Sequence, residues 1–136
     1  MLLVTIVLHP TDLSEPARHT FDLACQIARS YGARVVVLHV VSRKQHLAGA
    51  VIGDPLAGFH EIAPDVPVET RVETGDPASV ILRVAKETKC DLIVMGTRGR
   101  TGPKLSDDVV DKVVQRASCA VLTMRYSRSD KGRTDP

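Results

Sequence analysis

"DLIVMGTRGRTGPKLSDDVV" occupies residues 91–110, and its reading decides how the rest of the chain is interpreted. Residues 91–96 form an apolar, β-prone run of the kind a strand covered on both faces requires. A loop follows that carries Gly96, Gly99 and Gly102 together with Arg98, Arg100 and Lys104. From Ser106 onward, Val109, Val110, Val113, Val114 and Ala117 recur at helical spacing. In a strand, glycine loop and helix of this kind, backbone N–H groups and a helix N-terminus face an anion. Neither GxxxxGK[ST] nor GxGxxG is present, so the P-loop and dinucleotide fingerprints both fail. A solvated basic turn accounts for the loop as well. Asp107 and Asp108 close the stretch where an anion would meet negative charge.

The same alternation extends in both directions. "LLVTIVL" (2–8) reads as a central strand. Ser14 can cap the helix that follows, Pro16 sits in its first turn, and Gly32 ends it. Phe21, Ala24, Cys25 and Ala28 mark its apolar face. "RVVVLHVV" (34–41) is a second buried strand. Glycines and prolines interrupt residues 42–66, so a loop is expected there, with at most a short helix near 56–62. Residues 66–75 alternate as a half-buried edge strand does. An Asp-Pro opening then starts a helix whose apolar face is Val80, Ile81, Val84 and Ala85. "CAVLTMR" (119–125) is the last strand, ahead of a polar tail over 126–136 expected to be disordered. The alternation implies a mostly parallel sheet with helices on both faces and ligands beyond the carboxyl ends of the strands.

Composition narrows the function classes. A chain of 136 residues suits one domain. No Trp and few other aromatics leave the core to Val, Ile, Leu and Ala. A net charge of +2 argues for neither nucleic acid nor an anionic membrane, and no segment has the length of a bilayer span. The three cysteines, Cys25, Cys90 and Cys119, have no metal-ligand spacing and read as reduced core thiols in a cytoplasmic protein. The first residues lack a basic leader and a cleavage site, so they read as a strand. No GxSxG, HExxH or dense carboxylate pair outside Asp107–Asp108 suggests catalysis. His39, inside the second strand, reads as a structural histidine, and His9 as a polar strand end beside a ligand-side turn.

Four pieces of the chain together resemble the universal stress protein family. They are "VLHPTDLSEPARHTFDLACQIA", "VVVLHVV", "CDLIVMGTRGRTG" and "VVQRASCAVLTMR", in order and at fitting spacing. The resemblance implies a nucleotide site of Pro10, Thr11, Asp12, Val40, Gly96, Arg98 and Gly99, in which Asp12 and the backbone at Val40 meet the adenine end and Gly96, Arg98 and Gly99 lie on the phosphate side. ATP-binding members resemble the pattern Gly, two residues, Gly, nine residues, Gly, then Ser or Thr. Gly96 and Gly99 match its first half, but Asp107 and Asp108 stand where the second Gly and the Ser or Thr belong, and the loop is two residues short. A phosphate about 4 Å from one aspartate costs about 1 kcal/mol in water and about 4 at an effective dielectric of 20. With Ser106 as N-cap, the two aspartates instead complement the helix dipole, each by about 0.3–1 kcal/mol.

The expected fold is a single α/β domain over residues 1–125, doubly wound around a five-stranded parallel sheet of order 3-2-1-4-5, of the adenine nucleotide alpha-hydrolase-like type. The expected function is a cytoplasmic, non-enzymatic universal stress protein with a degenerate nucleotide site and no resident cofactor or metal. The alternative is a binder of ATP or AMP in which Mg²⁺ bridges the aspartates. The resemblance also implies a homodimer through the last strand, Cys119 to Arg125, and an unidentified protein partner, without nucleic acid or membrane.

Overall fold

The computed structural model describes residues 3–49, 53–97 and 107–125. In chain order its elements are β1 (Ile6–Thr11), α1 (Glu15–Tyr31), β2 (Arg34–Val41), α2 (Arg43–Leu47), α3 (Phe59–Ile62), β3 (Val68–Thr74), α4 (Pro77–Thr88), β4 (Leu92–Thr97), α5 (Asp107–Arg116) and β5 (Ala120–Arg125). All strand pairings are parallel, in the order β3-β2-β1-β4-β5. This is the expected α/β architecture. The tail over 126–136 lies outside the described residues.

Pleating divides the core into two halves, because successive side chains on a strand face opposite ways. Val35 and Val37 of β2 and Val94 of β4 pack with Phe21, Ala24, Cys25 and Ala28 of α1. Val36 and Leu38 of β2 and Ile93 and Met95 of β4 pack with Ile81 and Val84 of α4 and Val110 and Val113 of α5. Local signals set the helix ends. Ser14 caps α1 by accepting from the Ala17 N–H, and Gly32 closes it in a left-handed conformation, φ 68°. Asp76 caps α4 through the Ser79 N–H.

Three expectations need correction. The first strand begins at Ile6 rather than residue 2 and runs past residue 8 through His9, the polar strand end, to Pro10 and Thr11. Its pairing with β2 continues to Thr11↔His39 and holds these residues extended. Within residues 42–66, the short helix near 56–62 is α3, but α2 was not foreseen. A capping box starts α2: Ser42 Oγ accepts from the Gln45 N–H, and Gln45 Oε1 accepts from the Ser42 N–H. Val114, placed on the apolar face of α5, is 51% exposed, whereas Val113 is fully buried. The helix lies toward the sheet's edge, where a narrower stripe is covered.

Pro10 sits inside a strand without breaking the sheet, and His9 explains why. The Asp91 N–H donates to the Ile6 carbonyl, so the main chain of Ile6 faces β4. In a parallel ladder alternate residues face the same neighbour, which turns Leu8 and Pro10 to β4 as well. The β1–β4 register covers Val7↔Leu92 and Leu8↔Ile93. The next bond would run from a Pro10 N–H to the Val94 carbonyl, and proline has no N–H. His9 Nδ1 lies 2.9 Å from that oxygen. A carbonyl only accepts, so Nδ1 carries the proton and supplies the missing donor.

Candidate functional site

The turn after β1 is assembled from side-chain caps. Thr11 Oγ1 accepts from the Leu13 N–H at 3.1 Å, and Asp12 Oδ1 accepts from the Ser14 N–H at 2.9 Å. Leu13 adopts a left-handed conformation, φ 66°, which a side chain of this size rarely takes. Asp12 is thereby held almost fully buried, with its second oxygen, Oδ2, unbonded among the described residues. One oxygen of Asp12 thus builds the turn.

A cavity of about 330 Å³ opens beside this turn, at the carboxyl ends of β1 and β2. That volume is at the lower end of small-molecule sites, roughly 300–1,000 Å³. Pro10, Thr11, Asp12 and Val40 all line it, so the structure brings together four of the expected site residues, Asp12 and Val40 of the adenine end among them. His39 also lines it. Its Nδ1 lies 3.2 Å from the Thr11 carbonyl and therefore donates, leaving Nε2 as an acceptor. His39 is thus tied by its ring to the turn side of β1 while its residue borders the cavity. Ser42, Lys44 and Gln45 of α2 and Pro77 at the start of α4 complete the lining. The Ser-x-x-Gln capping box at 42–45 was the sequence signal for this wall.

The phosphate side is arranged differently. Gly96 does not line the cavity; a Cβ there would stand 2.9 Å from Thr20 Oγ1 of α1. Its φ is not in the left-handed region, so close packing is what requires glycine there. Arg98, Gly99, Arg100, Gly102, Lys104 and Ser106 lie outside the described residues. Asp107 and Asp108 open α5 as expected. The Asp108 side chain is 76% exposed and lies 3.4 Å from Lys112 Nζ. Among the described residues no three His, Cys, Asp or Glu side chains are grouped to hold a metal, and no helix is long and apolar enough to cross a membrane.

His9 lies within β1, as a polar strand residue does, and does not line the cavity. It is fully buried on the α1 side of the sheet, its ring 5.8 Å from that of Phe21. Burial pushes its imidazole down to about 4, against the partial compensation of the Val94 hydrogen bond and the charge of Asp12.

The profile of the universal stress protein family matches residues 4–125. The chain belongs to that family. A universal stress protein of Methanocaldococcus jannaschii is 28% identical to it, covering 89% of this chain and 82% of its own length. The solved structure of a UspA protein from Lactobacillus plantarum has a TM-score of 0.77 at 24% identity, covering 92% of this chain and all of that one. A solved universal stress protein in complex with cAMP has a TM-score of 0.72 at 22% identity, covering 91% and 98%. These structures share this universal stress protein's fold.

Proposed function

We propose that this universal stress protein binds the nucleoside end of an adenine nucleotide and acts in a stress response through that binding rather than through catalysis. The observation that carries the reading is the convergence of Pro10, Thr11, Asp12, His39 and Val40 on one cavity of about 330 Å³ at the carboxyl ends of β1 and β2. A carboxylate among the lining residues, Asp12, suits the amino and hydroxyl donors of a nucleoside, and Leu38, Val40, Pro10 and Pro77 offer apolar walls to a base. That a family relative of the same fold was solved with cAMP supports the ligand class. The phosphate end contributes little, because Asp107 and Asp108 offset the cations of the short glycine loop.

Thermal shift and calorimetry with adenosine, AMP and ATP, each with and without Mg²⁺, test the proposal. Adenosine and AMP are expected to bind within a few-fold of ATP, and Asp12→Ala to weaken all three. Ligand at about 100 times its Kd adds about 2.7 kcal/mol of stability, which such a scan resolves. Absence of a shift with every ligand would overturn the reading. ATP binding at least tenfold tighter than AMP, and only with Mg²⁺, would favour a metal bridge at the aspartates.

A second reading concerns assembly. The two edges of the sheet differ in character. On β3, Arg71 and Glu73 are tied to Arg83 and Glu87 of α4 in a network of ion pairs at 2.9–3.0 Å, as a protected edge requires. The β5 edge is "AVLTMR", with Leu122 38% exposed. We infer that two copies pair through β5 about a two-fold axis. Sedimentation is expected to show a species of twice the 14.7 kDa chain mass, reduced to one chain by Leu122→Lys. A wild-type monomer at micromolar concentration would refute it.

A further inference from the structure

Cys90 and Cys119 are 29 positions apart, yet their sulfurs lie 3.8 Å from each other. Cys90 follows the left-handed C-cap of α4, Lys89, and precedes β4; Cys119 precedes β5. Neither belongs to the strand ladder, since the β4–β5 register starts at Leu92↔Ala120. A disulfide needs a sulfur separation near 2.05 Å. The closure therefore falls on side-chain rotation and two residues outside the sheet's hydrogen bonds. Cys25, the third thiol, is buried on the opposite, α1, side of the sheet.

We propose that Cys90 and Cys119 form a reversible intramolecular disulfide on exposure to a peroxide. Cys119 is the half-buried member of the pair and Cys90 the buried one, so the peroxide meets Cys119 first. The Cys119 sulfur attacks the peroxide, breaks its O–O bond and becomes a sulfenic acid, and one water leaves. The Cys90 sulfur then attacks that sulfenic sulfur, and the second water leaves with the Cys90 proton. In total two thiols lose two electrons and two protons, and the peroxide is reduced to two waters. Burial, with the neighbouring Cys119 next, pushes the Cys90 thiol up to about 12, so it is not the initiating nucleophile. The bond ties the end of α4 to the start of the edge strand β5, at the end of the sheet away from the cavity. The closed loop holds β4 and α5.

The test uses the full chain, treated with hydrogen peroxide, alkylated under denaturing conditions and mapped by peptide mass spectrometry. Expected are a fall from three free thiols to one, Cys25, and a linked Cys90–Cys119 peptide pair lighter by two hydrogens. Dithiothreitol is expected to restore all three. Closing a loop of this length should raise the Tm by about 10 °C. Cys119→Ser should leave Cys90 unoxidised, and Cys25→Ser should leave the link unchanged. The wild-type peptide map decides the matter even if a variant fails to fold. Three alkylated thiols after treatment, a Cys119 sulfinic acid beside a free Cys90, or links only between chains would each overturn the proposal.

Discussion

Between pH 6.5 and 4 the protein is expected to lose about 3 kcal/mol of stability through one side chain, His9. Its folded value of about 4 lies below the ordinary 6.5 because the ring is fully enclosed. In that window the unfolded chain binds a proton that the folded chain refuses, so stability is complete above pH 6.5 and falls toward pH 4. The carboxyls of Asp91, Asp76 and Glu73 behave differently. Hydrogen bonds from the Thr5 and Ile6 N–H groups hold Asp91 below its usual range, those from Ser79 hold Asp76, and those from Arg83 and Arg71 hold Glu73. Their contributions are lost only below about pH 4. Urea unfolding at pH 7.5, 6, 5 and 4 separates the two windows. His9→Leu is expected to be less stable at pH 7.5 by about 1–3 kcal/mol, because the Val94 carbonyl loses its donor. The same variant should lose little between pH 6.5 and 4, and a slope equal to wild type would clear His9 of the effect. Among the described residues His9 Nε2 has no hydrogen-bond partner, so they leave the cost of keeping this ring in the core partly uncompensated.

Gly96→Ala is expected to cost about 1–3 kcal/mol in the absence of any nucleotide. The added Cβ would stand 2.9 Å from Thr20 Oγ1 and 3.6 Å from the Met124 carbonyl oxygen. Thr20 has little room to move: it is 2% exposed, and its hydroxyl lies 3.4 Å from the Pro16 carbonyl and 3.9 Å from Met124 Sδ. Urea unfolding of ligand-free protein measures the loss. Combining the change with Thr20→Ala should recover more than half of it, a coupling between neighbours that a double-mutant cycle resolves. If glycine served here only to admit a phosphate, the ligand-free alanine variant would unfold like wild type.

The element order was legible because its signals are local. Runs such as "RVVVLHVV", the caps at Ser14 and Asp76 and the stop at Gly32 each act within a few residues, and the structure places strands and helices where they point. Thr11, Asp12 and Val40 were legible through the motif they share with the family. His39 was harder to read. A histidine in an apolar strand looks the same whatever its ring meets, and only the tertiary structure shows that Nδ1 is committed to the Thr11 carbonyl of the neighbouring strand. Similarly, Pro10 and Thr11 join the strand only because β2 is beside them to hold them extended.

The sequence by itself determined the alternating α/β plan and the family, and it named Pro10, Thr11, Asp12 and Val40, which line one cavity, because periodicity, capping and motif spacing are properties of short segments. Only the tertiary structure decided which glycine is needed for packing, which face buries His9 and which two of three cysteines meet. Those outcomes depend on strand order and pleat phase, which bring together groups as distant as Thr20 and Gly96 or Cys90 and Cys119. No local pattern records such distances.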